Sequence, residues 1–154
     1  MAYVAESVPS TELKTALDTY WENRDGQLPK PKIMEHNVDP DNVGQIIIGW
    51  NPSRNDYVII RSDVAGEREK LRGIGASYKD RTFDVLVDLY TVVSKQRLHD
   101  MKAEIRRIIH KRIHDFSWDL VIYQGFTENA QANLNFHSGS VRVRFQSDRE
   151  ILDT

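Results

Sequence analysis

The sequence predicts an α+β fold, a mixed and mainly antiparallel sheet with two helices packed on one face. Three observations predict it. Helical apolar spacing occurs twice, once near the start of the chain and once after its middle. The stretches between and after these alternate apolar with polar residues, or run continuously apolar, as strands do. The resulting order is a helix, a run of strands, a long helix and strands again. A parallel doubly wound sheet would need more helical crossovers than that.

The first helix is expected to begin near Pro9 and Ser10, with Ser10 or Thr11 able to cap its exposed N–H groups. Leu13, Ala16, Leu17, Tyr20 and Trp21 follow the spacing of one buried helix face. Asp25-Gly26 supplies the stop, because glycine tolerates the left-handed closing conformation. Residues 28–32, Leu-Pro-Lys-Pro-Lys, form an extended connector, since proline cannot continue a helix. Short strands are expected over 33–38, 45–50 and 56–61, the last two joined by the turn-forming run Asn51-Pro52-Ser53-Arg54-Asn55. The polar segment 63–70 reads as a mobile loop. Residues 72–78 and 81–93 read as a hairpin around Lys79-Asp80. In its second strand Val85, Val87 and Leu89 alternate with Asp84, Leu86 and Asp88, as a half-solvated strand requires.

Ser94 is placed to cap the second helix, expected over 95–114 and roughly 30 Å long at 1.5 Å per residue. Leu98, Met101, Ile105, Ile108, Ile109 and Ile113 form its apolar stripe. Two closing strands follow, over 118–124 and 140–146, and in the last Val141, Val143 and Phe145 alternate with Arg142, Arg144 and Gln146. The stretch 125–137 between them is either a long loop or a weak, polar strand pair. Residues 1–9 and 147–154 are expected to be flexible ends of a single domain.

Composition narrows the function classes. Hydrophobic residues make up 40% and charged residues 29% of the 154, a globular rather than a disordered balance, and the length fits one domain, since splitting it would leave two halves with marginal cores. A net charge of -2 gives no global attraction to nucleic acid or anionic membrane, so any polyanion contact has to come from a local patch. Absence of cysteine excludes disulfides, thiolate metal sites and cysteine nucleophiles. The first residues lack the basic and apolar regions of a signal peptide, and no apolar run approaches the length of a membrane span.

Chemistry-bearing patterns are sparse. His110 and His114 stand four apart, as metal-binding pairs on a helix do, but Arg106, Arg107, Lys111 and Arg112 beside them would repel a metal ion. His36, His99 and His137 are isolated, and ordinary surface or turn roles account for them. Asp84 and Asp88 share a strand face and could hold Mg²⁺ together with Asp119. Cross-strand pairing with Arg142 or Arg144 accounts for the same acids without chemistry. Gly73-Ile74-Gly75 lacks the third glycine and the following helix of a phosphate loop. No catalytic residue and no metal or organic cofactor is therefore expected. A basic face on the second helix, Lys102, Arg106, Arg107 and Lys111, could meet phosphates, although the helix itself carries no interleaved aromatics and Asp100 and Glu104 dilute the charge.

The order of elements carries a resemblance. A capped first helix and an extended connector lead into early strands and the charged segment 63–70. The hairpin that opens Arg72-Gly73-Ile74-Gly75-Ala76-Ser77-Tyr78-Lys79-Asp80 and runs on to Tyr90 follows, then the long helix and the closing strands. Over about residues 11–146 this arrangement resembles the tail-terminator (tail-completion) proteins of long-tailed phages and related tailed viruses. The resemblance implies an α+β subunit that forms a hexameric ring on the tail tube protein, ends tail polymerisation and offers a surface to the head-side connector or neck protein. It implies a structural virion protein of the tail–head junction, made in the host cytoplasm. Such a protein has no catalytic residues, no cofactor and no membrane association, and meets nucleic acid only as DNA passing through the ring. The charged segment occupies the place of an inter-strand loop used in ring contacts, so the assembly-contact candidates are Asp63, Glu67, Arg68, Glu69, Lys70 and Arg72. Two other readings stand beside this one: another neck or head-completion protein, and a small α+β nucleic-acid-binding module using the basic face of the second helix.

Overall fold

Pro9 decides where the first helix starts. A computed structural model of the chain describes residues 8–23, 28–35, 56–72, 78–129 and 137–151. In it α1 spans Pro9–Tyr20 with proline in the first turn, where a missing N–H costs nothing. Ser10 and Thr11 therefore sit inside the first turn and do not cap it, contrary to the expectation. The cap is Val8, whose carbonyl accepts from Glu12 N at 3.0 Å. Both hydroxyls donate instead to Glu35 Oε1, at 2.6 and 2.9 Å, and tie the helix start to the first strand. Leu13, Ala16 and Leu17 are buried as the spacing predicts. The helix stops at Tyr20, earlier than expected, because Trp21 turns extended and buries its indole, donating from Nε1 to Leu28 O at 3.3 Å. Asp25-Gly26 lies outside the described residues.

The strands are β1 (Lys32–Glu35), β2 (Tyr57–Arg72), β3 (Tyr78–Thr91), β4 (Leu120–Asn129) and β5 (His137–Ile151). Among the described residues they form one five-stranded sheet in the order β1-β2-β3-β5-β4. Only β1 and β2 run parallel; the other pairs are antiparallel. The second helix, α2 (Lys95–Lys111), is followed by a 3₁₀ turn, Ile113–Asp115. Ser94 caps α2 as expected, its side chain accepting from Arg97 N at 3.0 Å. The helix ends before His114, and Ile113 packs against the core from the 3₁₀ turn.

Both helices lie on one face of the sheet. Leu13 and Leu17 of α1 and Leu98, Met101, Ile105, Ile108 and Ile109 of α2 share one buried cluster with Val58, Ile60, Val85, Val87, Leu89, Val141, Val143 and Phe145. The fold is thus the α+β arrangement that the two helical periods and the alternating strands predict. Phe116 and Trp118 close the cluster where the chain leaves α2, their rings edge-on to Phe145 at 5.6 and 6.2 Å between centroids. Among the described residues no helix is long and apolar enough to cross a membrane.

Several polar stretches depart from expectation. The segment 63–70 is strand, not loop, and belongs to the long β2. Lys79 and Asp80 are not a turn: they pair with Leu71 and Lys70 in the antiparallel ladder of β2 and β3, and residues 73–77 lie outside the described residues. Residues 125–129 continue β4, so the strand-pair alternative for 125–137 holds at both of its described ends, with Asn129 opposite Ser138. Residues 147–151 are not a frayed end but extend β5. Pro9, expected at a flexible end, is buried. The expected strand 33–38 is described only to Glu35, and the expected strand 45–50 and turn 51–55 lie outside the described residues.

Candidate functional site

Strand β2 carries the assembly-contact candidates past the core. After Arg61, opposite Leu86, the register breaks, and the four residues 62–65 stand against the single Val85 of β3. Asp63 lies in this irregularity, a bulge of the kind that bends a strand and increases its twist. Pairing resumes at Gly66↔Asp84 and continues to Arg72↔Tyr78. On the other side of β3, β5 accompanies it to Tyr78↔Ile151. β1 follows β2 only to Ile60, and β4 ends against Gln146. The outer part of the sheet is therefore a three-stranded ribbon of residues 69–72, 78–81 and 147–151, roughly 15 Å long at about 3.3 Å per residue. No described side chain of it joins the core cluster. Glu69 is exposed on it and Glu67 and Arg68 are exposed at its root, and the register sets Lys70 opposite Asp80 and Arg72 opposite Tyr78.

Ion pairs stiffen the root of the ribbon. Asp84 is 3% exposed although, among the described residues, both helices pack on the other face of the sheet. It accepts from Arg144 Nε at 2.9 Å and Nη2 at 3.2 Å, and from Arg68 Nη2 at 3.0 Å. The hydrogen bonds from Arg144 hold its carboxyl below the ordinary aspartate value, against the opposing effect of burial. Asp88 meets Arg61 Nε at 2.6 Å and accepts from Ser140 Oγ at 2.6 Å. Asp119 accepts from Ser147 Oγ at 3.3 Å. Each acid of the suspected Mg²⁺ trio thus has its own partner, and Asp84 takes the cross-strand arginine reading with Arg144. Among the described residues no group of three or more His, Cys, Asp or Glu is placed to hold a metal ion.

A folded-state pKa below the unfolded one makes Asp84 a source of stability above about pH 4 that is lost as the pH falls through the lowered value. Asp84→Asn is expected to cost about 2 kcal/mol at pH 7, the worth of hydrogen bonds to a charged group. It should also flatten the acid limb of a urea-midpoint-against-pH curve. A variant whose acid limb matches the wild type would contradict this account.

The basic candidates of α2 divide between two flanks. Arg107 turns towards α1, donating from Nε to the buried Glu104 Oε1 at 2.5 Å and from Nη2 to Tyr20 O at 2.9 Å. Arg112 lies over the Tyr20 ring, 4.1 Å from its centroid. Lys111 is exposed at the helix end. These contacts join helix to helix and do not extend a phosphate-facing stripe.

Lys95, His99, Lys102, Arg106 and His110 line the opposite flank, over β4. The pairings Tyr123↔Val143 and Phe126↔Val141 turn both aromatic rings to the helix side of the sheet, beneath that flank. Lys102 Nζ is 5.4 Å from the Phe126 centroid and the Arg106 guanidinium carbon 5.7 Å from that of Tyr123. His99 and His110 meet the same two rings edge-on, at 5.5 and 6.4 Å. His99 Nε2 contacts Glu128, its Nδ1 lies 3.3 Å from Lys102 Nζ, and Lys95 Nζ is 3.4 Å from the Glu128 carboxylate. The His99 hydrogen bond, helped by Lys95, holds Glu128 below the usual glutamate value. Gly139 makes room for this layer: a Cβ there would come within 2.6 Å of Phe126 Cε2 and 2.9 Å of Thr127 O.

His110 and His114 do not share a face, because His114 stands in the 3₁₀ turn. Tyr123, Phe126 and Glu128 escape sequence reasoning because strict alternation would have put the two rings on opposite sides, and only the bulge between Tyr123 and Gly125 brings them to one side. Gly125, with φ at 153°, is the one visible mark of it. A separate cleft of about 260 Å³ lies between α1 and the 3₁₀ turn, with Thr11, Thr15, Tyr20, Asp115 and Phe116 among its walls. Compared with known proteins, the chain matches no protein-family model and no curated sequence.

Proposed function

We propose that this chain is a structural, ring-forming virion subunit of the tail-terminator kind, capping a tail tube and meeting the head-side connector. The observation that carries the reading is the three-stranded ribbon 69–72, 78–81 and 147–151. It extends the sheet beyond the core cluster, with Glu69 exposed on it and Glu67 and Arg68 exposed at its root. A head-to-tail ring joins two different patches of neighbouring copies. A rigid, charged extension on one side of a subunit suits such a contact better than a mobile loop, since its backbone is ordered before docking. The acids that the sequence offered for catalysis, Asp84, Asp88 and Asp119, are engaged by arginine and serine side chains, which fits a non-enzymatic role. Other neck or head-completion proteins form the nearest alternative within the same class.

The test uses substitutions that respect the strand. Glu67→Thr with Glu69→Thr removes two exposed charges while keeping residues that favour a β conformation. The Glu67–Arg81 pair is lost, and a partly exposed pair of this kind is worth about 0–1 kcal/mol, so the melting temperature should stay within a few degrees. Native mass spectrometry should then show a hexamer for the wild type and a shift to monomer for the variant, and electron microscopy should show uncapped tail tubes. Normal rings from the double variant would remove the ribbon from the contact. Wild-type protein that neither forms rings nor caps tubes would overturn the tail-terminator reading itself.

A further inference from the structure

We infer that the flank of α2 over β4 is a binding surface for single-stranded nucleic acid, with Lys102 and Arg106 as its phosphate contacts. This goes beyond the assembly reading and does not depend on it, since the ribbon and the flank share no residue.

The charges along the flank are unevenly satisfied. At its N-terminal end Lys95 and His99 are spent on Glu128. Further along, neither Lys102 nor Arg106 has a carboxylate partner among the described residues. Six other described arginines are engaged by acids: Arg61 by Asp88, Arg68 and Arg144 by Asp84, Arg81 by Glu67, Arg97 by Asp56 and Arg107 by Glu104. Arg112 instead lies on the Tyr20 ring, and Arg142, on the far face of the sheet, has no acid partner among the described residues. In a chain of net charge -2, two adjacent uncompensated cations mark a local site for an anion.

Their placement favours a nucleic acid over a plain acidic partner. Each cation is held over an aromatic face, Lys102 over Phe126 and Arg106 over Tyr123. Cation and ring thus form one amphipathic step, and two such steps follow each other along the strand. Bases stack on aromatic rings and on guanidinium planes, while phosphates take the ammonium and the remaining guanidinium donors. An acidic peptide would use the charges and leave the rings without a role. Gly139 leaves the space that the Phe126 ring occupies, since a Cβ there would come within 2.6 Å of Phe126 Cε2.

The experiment is fluorescence anisotropy of a labelled oligothymidylate, about 20 nucleotides long so that it exceeds one site of this kind. Wild-type protein should bind at low salt, with an affinity falling by a slope of about 0.7 per phosphate contacted in a log–log plot against salt. Lys102→Gln with Arg106→Gln should weaken binding about tenfold or more and lower that slope by about 1.4, two phosphates' worth. A charge-matched control, Lys30→Gln with Arg142→Gln, changes residues away from the flank and should stay within about twofold. Phe126→Leu keeps every charge and should cost about tenfold at constant slope, as loss of a stacking partner does. Thermal melts of each variant keep folding separate from binding.

Absence of oligothymidylate binding by the wild type at low salt would overturn the inference. So would equal losses in the control and flank variants. Polyglutamate competing as well as oligothymidylate, with the same dependence on Lys102 and Arg106, would replace nucleic acid by an acidic protein. Tighter binding of a duplex than of the single strand would overturn the stacking role.

Discussion

Ile108→Ala is expected to lower stability by about 2–5 kcal/mol, the range for deleting a fully buried aliphatic side chain. Ile108 is 0% exposed, in the fourth turn of α2, with Met101, Ile105 and Ile109 along the same stripe. The sheet beneath it presents Val141, Val143 and Phe145, also 0% exposed. Stiff strand side chains below and helix neighbours on either side leave little freedom to collapse into the cavity. The cost should therefore exceed the transfer term alone. Urea unfolding would report it as a lower midpoint at unchanged slope. An unchanged midpoint would show that α2 does not pack as described.

Asp56→Ala is expected to cost a comparable amount, about 3–5 kcal/mol, for an electrostatic reason. Asp56 precedes β2 and is 7% exposed. Its Oδ1 accepts from Thr91 Oγ1 at 2.7 Å, its Oδ2 from Arg97 Nε at 2.8 Å, and its backbone carbonyl from Lys32 N at 2.8 Å. One residue thereby joins the start of β1, the end of β3 and the first turn of α2. Truncation would strand the Arg97 guanidinium, whose side chain is 13% exposed, beside a fully buried threonine hydroxyl. Adding Arg97→Met should recover much of the loss, since an apolar pair of similar volume avoids the buried charge. The measurement is a double-mutant cycle by urea unfolding. Additive losses would mean that the two side chains do not depend on each other.

Legibility in the sequence followed solvent exclusion. Leu98, Met101, Ile105, Ile108 and Ile109, and likewise Val85, Val87 and Leu89, are readable because water enforces their period on one face. Glu67, Arg68 and Glu69 are exposed, so nothing local distinguishes a strand from a loop there; their conformation is set by pairing with β3, itself flanked by β5 from the far end of the chain. Asp80 misleads for a related reason. It is a turn former by composition, yet it is 8% exposed inside a strand. Asp84 and Asp88 hold positions that read as solvated, and arginines reached across the sheet are what allow their burial. For the candidate nucleic-acid flank, helix geometry alone separates Lys102 and Arg106 from Arg107. The rings beneath could not be anticipated, because their side of the sheet depends on the bulge at Gly125.

The strand order has a consequence for how the chain is made. β5 lies between β3 and β4, so a strand synthesised after both of them is an interior one. While it is still inside the ribosomal exit tunnel, β3 and β4 have no common neighbour, and both show bare backbone edges to the cell. The nascent protein can form α2 by itself, since helix contacts are local, but it cannot close its sheet by elongation from the N-terminus. Closure is a late insertion of one strand between two others, a high-contact-order event that sets the pace of folding. Translational pausing before residue 137 would therefore prolong the exposure of an unsealed sheet, whereas emergence of residue 151 would let β5 enter between β3 and β4.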